Sequence, residues 1–119
     1  MNNIFQKAIK IAKKLPNQKY KLVAIITDKK GHILSIGKNS FSKSHPTQAY
    51  YAEKVGNRHC IFLHSEIDAI IKLKYTDIPN SIYIVRINQK GEPLLSAPCE
   101  ICQRAIKDVG IKNIYYTEN

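Results

Sequence analysis

What the sequence lacks narrows its class first. Its longest uninterrupted apolar run is the stretch Leu22 to Ile26, far short of the ~18–20 residues needed to span a bilayer. No membrane-spanning helix and no membrane partner are expected. A secretory apolar region is missing as well, because Lys7, Lys10, Lys13 and Lys14 interrupt Ile4 to Leu15; a cytoplasmic location is the expectation. Cysteine is sparse, with only Cys60, Cys99 and Cys102, an odd count that suits a metal or reactive thiols better than a disulfide framework. There is no repeat, linker or low-complexity segment. Acids are scarce in one half of the chain: residues 1–60 hold twelve Lys and Arg against Asp28 and Glu53, whereas residues 61–119 hold seven of each sign, so the whole formal charge of +10 lies in the first half. Such an excess favours anionic partners, phosphates or nucleic acid among them. A solvated lysine-rich surface accounts for it equally well.

What is present describes one folded unit. The 119 residues are 44% hydrophobic and 24% charged, an ordinary globular balance, and a chain of this length buries roughly 65–70% of its unfolded surface. A single domain over residues 1–119 is expected. Ile4, Phe5, Ala8, Ile9, Ala12 and Leu15 recur at helical spacing with lysines opposite; Asn2 or Asn3 can cap this helix and Pro16 stops it. Leu22–Thr27 reads as a strand buried on both faces, Asp28 to Gly31 as a turn, and His32–Gly37 as the returning strand. Residues 38–46 read as a loop, and Thr47–Val55 as a short helix ended by Gly56. His64–Lys74 is helical by periodicity, Ser81–Ile87 is a strand, Asn88–Pro98 a loop, Cys99–Val109 a helix and Ile111–Tyr116 a last strand. Strands that follow crossover helices imply an α/β sandwich with a mixed sheet.

Two short segments carry chemistry. His64-Ser65-Glu66 opens one predicted helix, and Pro98-Cys99-Glu100-Ile101-Cys102 opens the next. Residues three apart share a helix face, so Cys99 and Cys102 can present two sulfurs to one point, and His64 supplies a nitrogen. Three protein ligands with one open position is the coordination of a catalytic zinc, whereas a structural zinc takes four. His59 and Cys60 are the candidates for a fourth. A structural zinc and a redox dithiol are the alternatives, although a redox pair has no need of the His-x-Glu segment. Glu66 by itself could simply complement a helix N-terminus.

The pairing H-x-E…P-C-x-x-C is the signature of zinc nucleobase deaminases, and over about residues 20–117 the sequence resembles the cytidine/deoxycytidylate deaminase superfamily. The resemblance implies a three-layer α/β/α sandwich with a mixed sheet, shortened at its C-terminal end. It implies that His64, Cys99 and Cys102 hold zinc (Zn2+), and that Glu66 shuttles protons during hydrolytic deamination. Asn39 matches a substrate-contacting Asn, and Ser96 and Ala97 match the backbone that meets the substrate amine. Ser65 stands where Ala is common, and Glu100 where a small or apolar residue is common. A weaker likeness to small phage-type deoxycytidylate-deaminase-like proteins covers the segment around His45 and Lys43, candidate substrate contacts. Each has a blander reading: Asn39 suits a turn, His45 and Lys43 suit a loop, Tyr50 and Tyr51 suit helix packing rather than base stacking, and Cys60 suits a small buried hydrophobe.

The expected substrate is the cytosine of a free nucleotide, dCMP-like. A deaminase of single-stranded or structured nucleic acid and a non-catalytic zinc-folded binding module are the alternatives. Family members are generally oligomeric and an open sheet edge needs cover, so a homo-oligomer is expected.

Overall fold

The β-branched run Leu22–Thr27 forms the middle of the sheet. In the computed structural model, which describes residues 3–16, 18, 20–58 and 62–118, β1 (Lys21–Thr27) is buried from Val23 onward. It pairs antiparallel with β2 (Ile33–Lys38) on one side and β3 (Ser81–Ile87) on the other. The far side of β3 is shared between two strands. β4 (Pro93–Leu94) pairs antiparallel with Arg86 and Ile87, and β5 (Asn113–Tyr116) runs parallel to Ser81–Ile84. The sheet is therefore mixed, as the crossover arrangement predicts. The proposed helix cap Asn2, the spare ligand candidate His59 and the buried-hydrophobe reading of Cys60 lie outside the described residues.

Alternation along the strands decides what covers each face. Val23, Ile25, Val85 and Ile87 face α1 (Asn3–Lys13) and pack with Ala8 and Ala12. Ala24, Ile26, Ile82 and Ile84 face the other way. They pack with Tyr51 and Ala52 of α2 (Pro46–Lys54), Ile67 and Ala69 of α3 (Ser65–Ile71), and Ile101, Cys102 and Ala105 of α4 (Glu100–Asp108). This is a three-layer α/β/α sandwich, and among the described residues no helix is long and apolar enough to cross a membrane.

Two expectations are corrected. The loop assigned to Asn88–Pro98 contains a hairpin: Asn88 Oδ1 accepts from Lys90 N and Glu92 N at 2.9 and 3.0 Å, and Gly91 takes φ 82°. That turn repeats the β1–β2 turn, where Asp28 Oδ1 accepts from Lys30 N and His32 N at 2.9 Å each and Gly31 has φ 88°. Positive φ suits glycine because it lacks a Cβ. The helix predicted over His64–Lys74 also ends earlier, at Ile71, because Asp77 turns the chain by accepting from Lys74 N at 2.8 Å.

Candidate active site

Helices α3 and α4 both start at a residue whose side chain is kept from capping. N-cap positions normally hold Ser, Thr, Asp or Asn, whose oxygen accepts from the first turn. Here the N-cap of α3 is His64 and that of α4 is Cys99; both have extended backbone and neither side chain makes a capping bond. They turn to each other instead. His64 Nδ1 lies 3.4 Å from Cys99 Sγ and 3.3 Å from Cys102 Sγ, and the three ligand atoms fall within 4.8 Å of one another. Zinc bonds of about 2.3 Å to sulfur and 2.0–2.1 Å to nitrogen, set tetrahedrally, put N···S near 3.6 Å and S···S near 3.8 Å. The donor set and its spacing fit that ion. Neither Cys99 nor Cys102 is in a disulfide.

Proton sharing within the group prepares it for a cation. The Cys99 thiol is pulled down to about 4, first by a hydrogen bond from Cys102 and also by His64. The same bond, with burial, pushes Cys102 up, and the bond to Cys99 raises His64 against the effect of its burial. One sulfur is thus an anion at neutral pH while its neighbour keeps its proton.

Glu66 completes the group. It is 4% exposed, and burial raises its carboxyl above the usual range while a 2.8 Å hydrogen bond from Ser65 Oγ works in the opposite direction. A carboxyl shifted toward neutrality suits proton transfer. Ser65, Glu66, His64 and Cys99 line one open cavity of about 450 Å³, within the range of small-molecule sites.

Over residues 1–118 the sequence matches the family described as the cytidine and deoxycytidylate deaminase zinc-binding region. The chain belongs to this deaminase family. No curated protein matches it. Family membership and the His64/Cys99/Cys102 group, which could hold a metal ion, together support zinc-dependent hydrolytic deamination.

The other candidate contacts of this deaminase divide into two sets. Asn39, Ser96 and Ala97 line the cavity. Asn39 Oδ1 accepts from Leu22 N at 2.9 Å and Gln18 Nε2 at 3.1 Å, which fixes the amide against β1. Ser96 is buried, with Oγ donating to Ile84 O at 2.8 Å and its backbone N–H donating to Thr117 O at 2.9 Å. His45 and Lys43 are not among the lining residues. His45 is the N-cap of α2, its Nδ1 accepting from Thr47 N at 3.1 Å, and Lys43 bonds through its backbone to Ser40 Oγ and Leu63.

Sequence reasoning overlooked three supports. Gln48 is fully buried on α2 and accepts from His64 N at 3.2 Å, holding the metal-ligand candidate from behind. Gly37 lets α3 approach β2, since a Cβ there would overlap the Ser65 carbonyl and the Ala69 nitrogen. Gln103 Nε2 donates to Pro98 O at 2.9 Å, fixing the turn into α4. Gln48 leaves a signal in the sequence: it sits at helical spacing with Tyr51 and Ala52, a polar residue on an apolar stripe.

Proposed function

We propose that the protein hydrolytically deaminates the cytosine of a free, dCMP-like nucleotide to uracil. The observation that carries this reading is the buried Glu66 carboxyl in the same cavity as His64 and Cys99, on which the buried Cys102 converges. Zinc held by those three residues would supply the Lewis acidity that lowers a water's pKa from ~15.7 to about 7.

The protein's own contribution is proton traffic and placement. A C–O bond forms at the ring carbon bearing the exocyclic amine. Glu66 moves the water's proton to the neighbouring ring nitrogen and hands the next to the departing amine, and the C–N bond breaks to release ammonia. Ser65 holds one carboxylate oxygen of Glu66 in place at 2.8 Å. Asn39, pinned to β1 through its Oδ1, keeps its amide N–H groups for the substrate, with one long 3.4 Å contact to Tyr20 O.

A free nucleotide is favoured over a polynucleotide by where the charge sits. Lys7, Lys10, Lys13 and Lys14 belong to or adjoin α1, which packs on the sheet face opposite the one that carries α3 and α4. Self-association is part of the reading, because β5 exposes Ile114, Tyr115 and Tyr116 at a sheet edge; a monomer by light scattering at micromolar concentration refutes that part.

The deciding experiment is ammonia release from cytosine, adenine and guanine compounds offered as bases, nucleosides, nucleotides and oligonucleotides. The zinc-loaded protein should act on dCMP, and Glu66→Ala should lose at least ~10²-fold in rate while keeping its zinc. Preference for long single strands that collapses with added salt would favour the nucleic-acid reading. Binding with no ammonia release, unaffected by Glu66→Gln, would make the protein a binding module.

A further inference from the structure

We infer that Arg86 is the substrate-phosphate anchor of this site and sets its preference for a nucleoside monophosphate over the bare nucleoside; this rests on the nucleotide reading above. Arg86 lies opposite Leu22 in the β1–β3 ladder, and both line the cavity that holds His64 and Glu66. Its guanidinium carbon stands 4.0 Å over the Tyr20 ring centroid. Stacking of this kind fixes the guanidinium plane and leaves its edge free to donate. Among the described residues one of its five N–H groups is used, in a long 3.5 Å contact to Leu95 O. Among the described residues no carboxylate pairs with it within 4.0 Å, and the one acid lining the cavity is Glu66, whose role lies at the metal end.

A half-buried, pre-oriented and uncompensated guanidinium in a binding cavity calls for an anion with two oxygens in one plane. Guanidinium meets phosphate in that bidentate way. The surroundings define the rest of the ligand. Leu22, Phe62, Leu63 and Leu95 give the cavity apolar walls for a base and sugar, while Asn39, bonded to the amide of Leu22 at 2.9 Å, sits next to the strand pair that presents Arg86. A terminal monoester, with its second charge, gains more from this contact than the single charge of a backbone diester.

The test compares dCMP with deoxycytidine, using Arg86→Gln, which keeps the side-chain stem, and Arg86→Lys. Steady-state kinetics on the zinc-loaded protein should show kcat/KM for dCMP falling about 10- to 100-fold in Arg86→Gln, carried by KM. Deoxycytidine should stay within about twofold, and Arg86→Lys should recover part of the loss. Calorimetric binding of dCMP and deoxycytidine to Glu66→Ala and to Glu66→Ala/Arg86→Gln separates this inference from the deamination reading. A phosphate-dependent affinity that Arg86→Gln removes upholds the anchor even where no ammonia is released by any variant. Equal losses on dCMP and deoxycytidine, no loss on either, an equal loss on an oligonucleotide carrying only diesters, or no dCMP binding by the parent protein would each overturn it.

Discussion

One methyl group added at Gly37 is expected to disable the site without altering any side chain in it. Gly37 lies on β2 beneath α3, and a Cβ there would overlap the Ser65 carbonyl oxygen and the Ala69 nitrogen and stand 2.9 Å from Ala69 Cα. Carbon contacts settle at about 3.5–4.0 Å, and backbone on both sides leaves no rotamer to swing aside. α3 must therefore back away by roughly 1 Å, carrying Glu66 and the His64 N-cap with it. Two hydrogen bonds that tie α3 to β2 would stretch: Ser35 Oγ to Ala69 O at 2.8 Å and Lys38 N to Asp68 Oδ2 at 2.9 Å. Overpacking costs about 1–3 kcal/mol and each hydrogen bond about 1 kcal/mol, so Gly37→Ala should lose about 3–5 kcal/mol, or roughly 10–20 °C in Tm. A displacement near 1 Å also costs about 10²-fold in rate. Urea unfolding, zinc content by elemental analysis and ammonia release, each on the zinc-loaded variant and parent, measure the three consequences. A variant within about 0.5 kcal/mol of the parent, with full zinc and full rate, would refute the claim that backbone contact at Gly37 sets the position of α3.

Two further outcomes follow from the site's supports and its protons. Gln48→Leu removes the side-chain acceptor of the His64 amide; it should cost about 1–3 kcal/mol in stability and weaken zinc binding, read by unfolding and by competition with a chromogenic chelator, and unchanged zinc affinity would contradict it. Zinc uptake should release protons: Cys99, lowered to about 4, is already ionised at pH 7, whereas Cys102 is held above the ordinary thiol range and keeps a proton that the ion must displace, with a further share from the raised His64. Zinc affinity should then fall as pH falls, because protons compete for the same atoms; calorimetry in buffers of different ionisation enthalpy counts them, and uptake without proton release would contradict the sharing scheme.

Much of the fold follows from local pattern, and its failures are local too. β1 and β3 are read to within a residue because β-branched runs buried on both faces have few other uses. α1 is read from lysines set against Ala8 and Ala12. The β3–β4 hairpin goes unread although Asn88-Gln89-Lys90-Gly91 repeats the polar-x-Lys-Gly pattern of Asp28-Lys29-Lys30-Gly31. The difference lies in what comes next. After Gly31 the chain resumes Ile33-Leu34 and pairs along β1, whereas after Gly91 it meets Glu92-Pro93. Proline donates no ladder bond, and a strand of two residues shows no alternation. That turn was therefore visible in sequence while the strand it serves was not.

The site divides along the same line. His64, Cys99 and Cys102 can be paired from sequence because each belongs to a short segment that opens a helix, and three-residue spacing fixes where two sulfurs point. What holds the two helix starts together is marked more faintly, as by Gln48 on the apolar stripe of Tyr51 and Ala52, and never by a motif that names its partner. Gln48 acts on a backbone amide sixteen residues away, Gly37 acts on α3 across the sheet–helix interface, and Arg86 meets Tyr20 through neighbouring strands. Each of these residue types has a blander role that fits equally well until the partner is known: a surface amide, a turn glycine, a solvated base. What separates them is burial without an apolar reason. A fully buried Gln demands a partner, because an unmatched buried polar group costs more than the bond that satisfies it returns. A half-buried arginine stacked on an aromatic ring, with no acid paired to it among the described residues, points to an anion, and a strand Gly with backbone in the space of its missing Cβ marks a close approach. In Gln48 that partner is the metal-ligand candidate itself, so the residue that looks least catalytic in sequence fixes the backbone on which the chemistry depends.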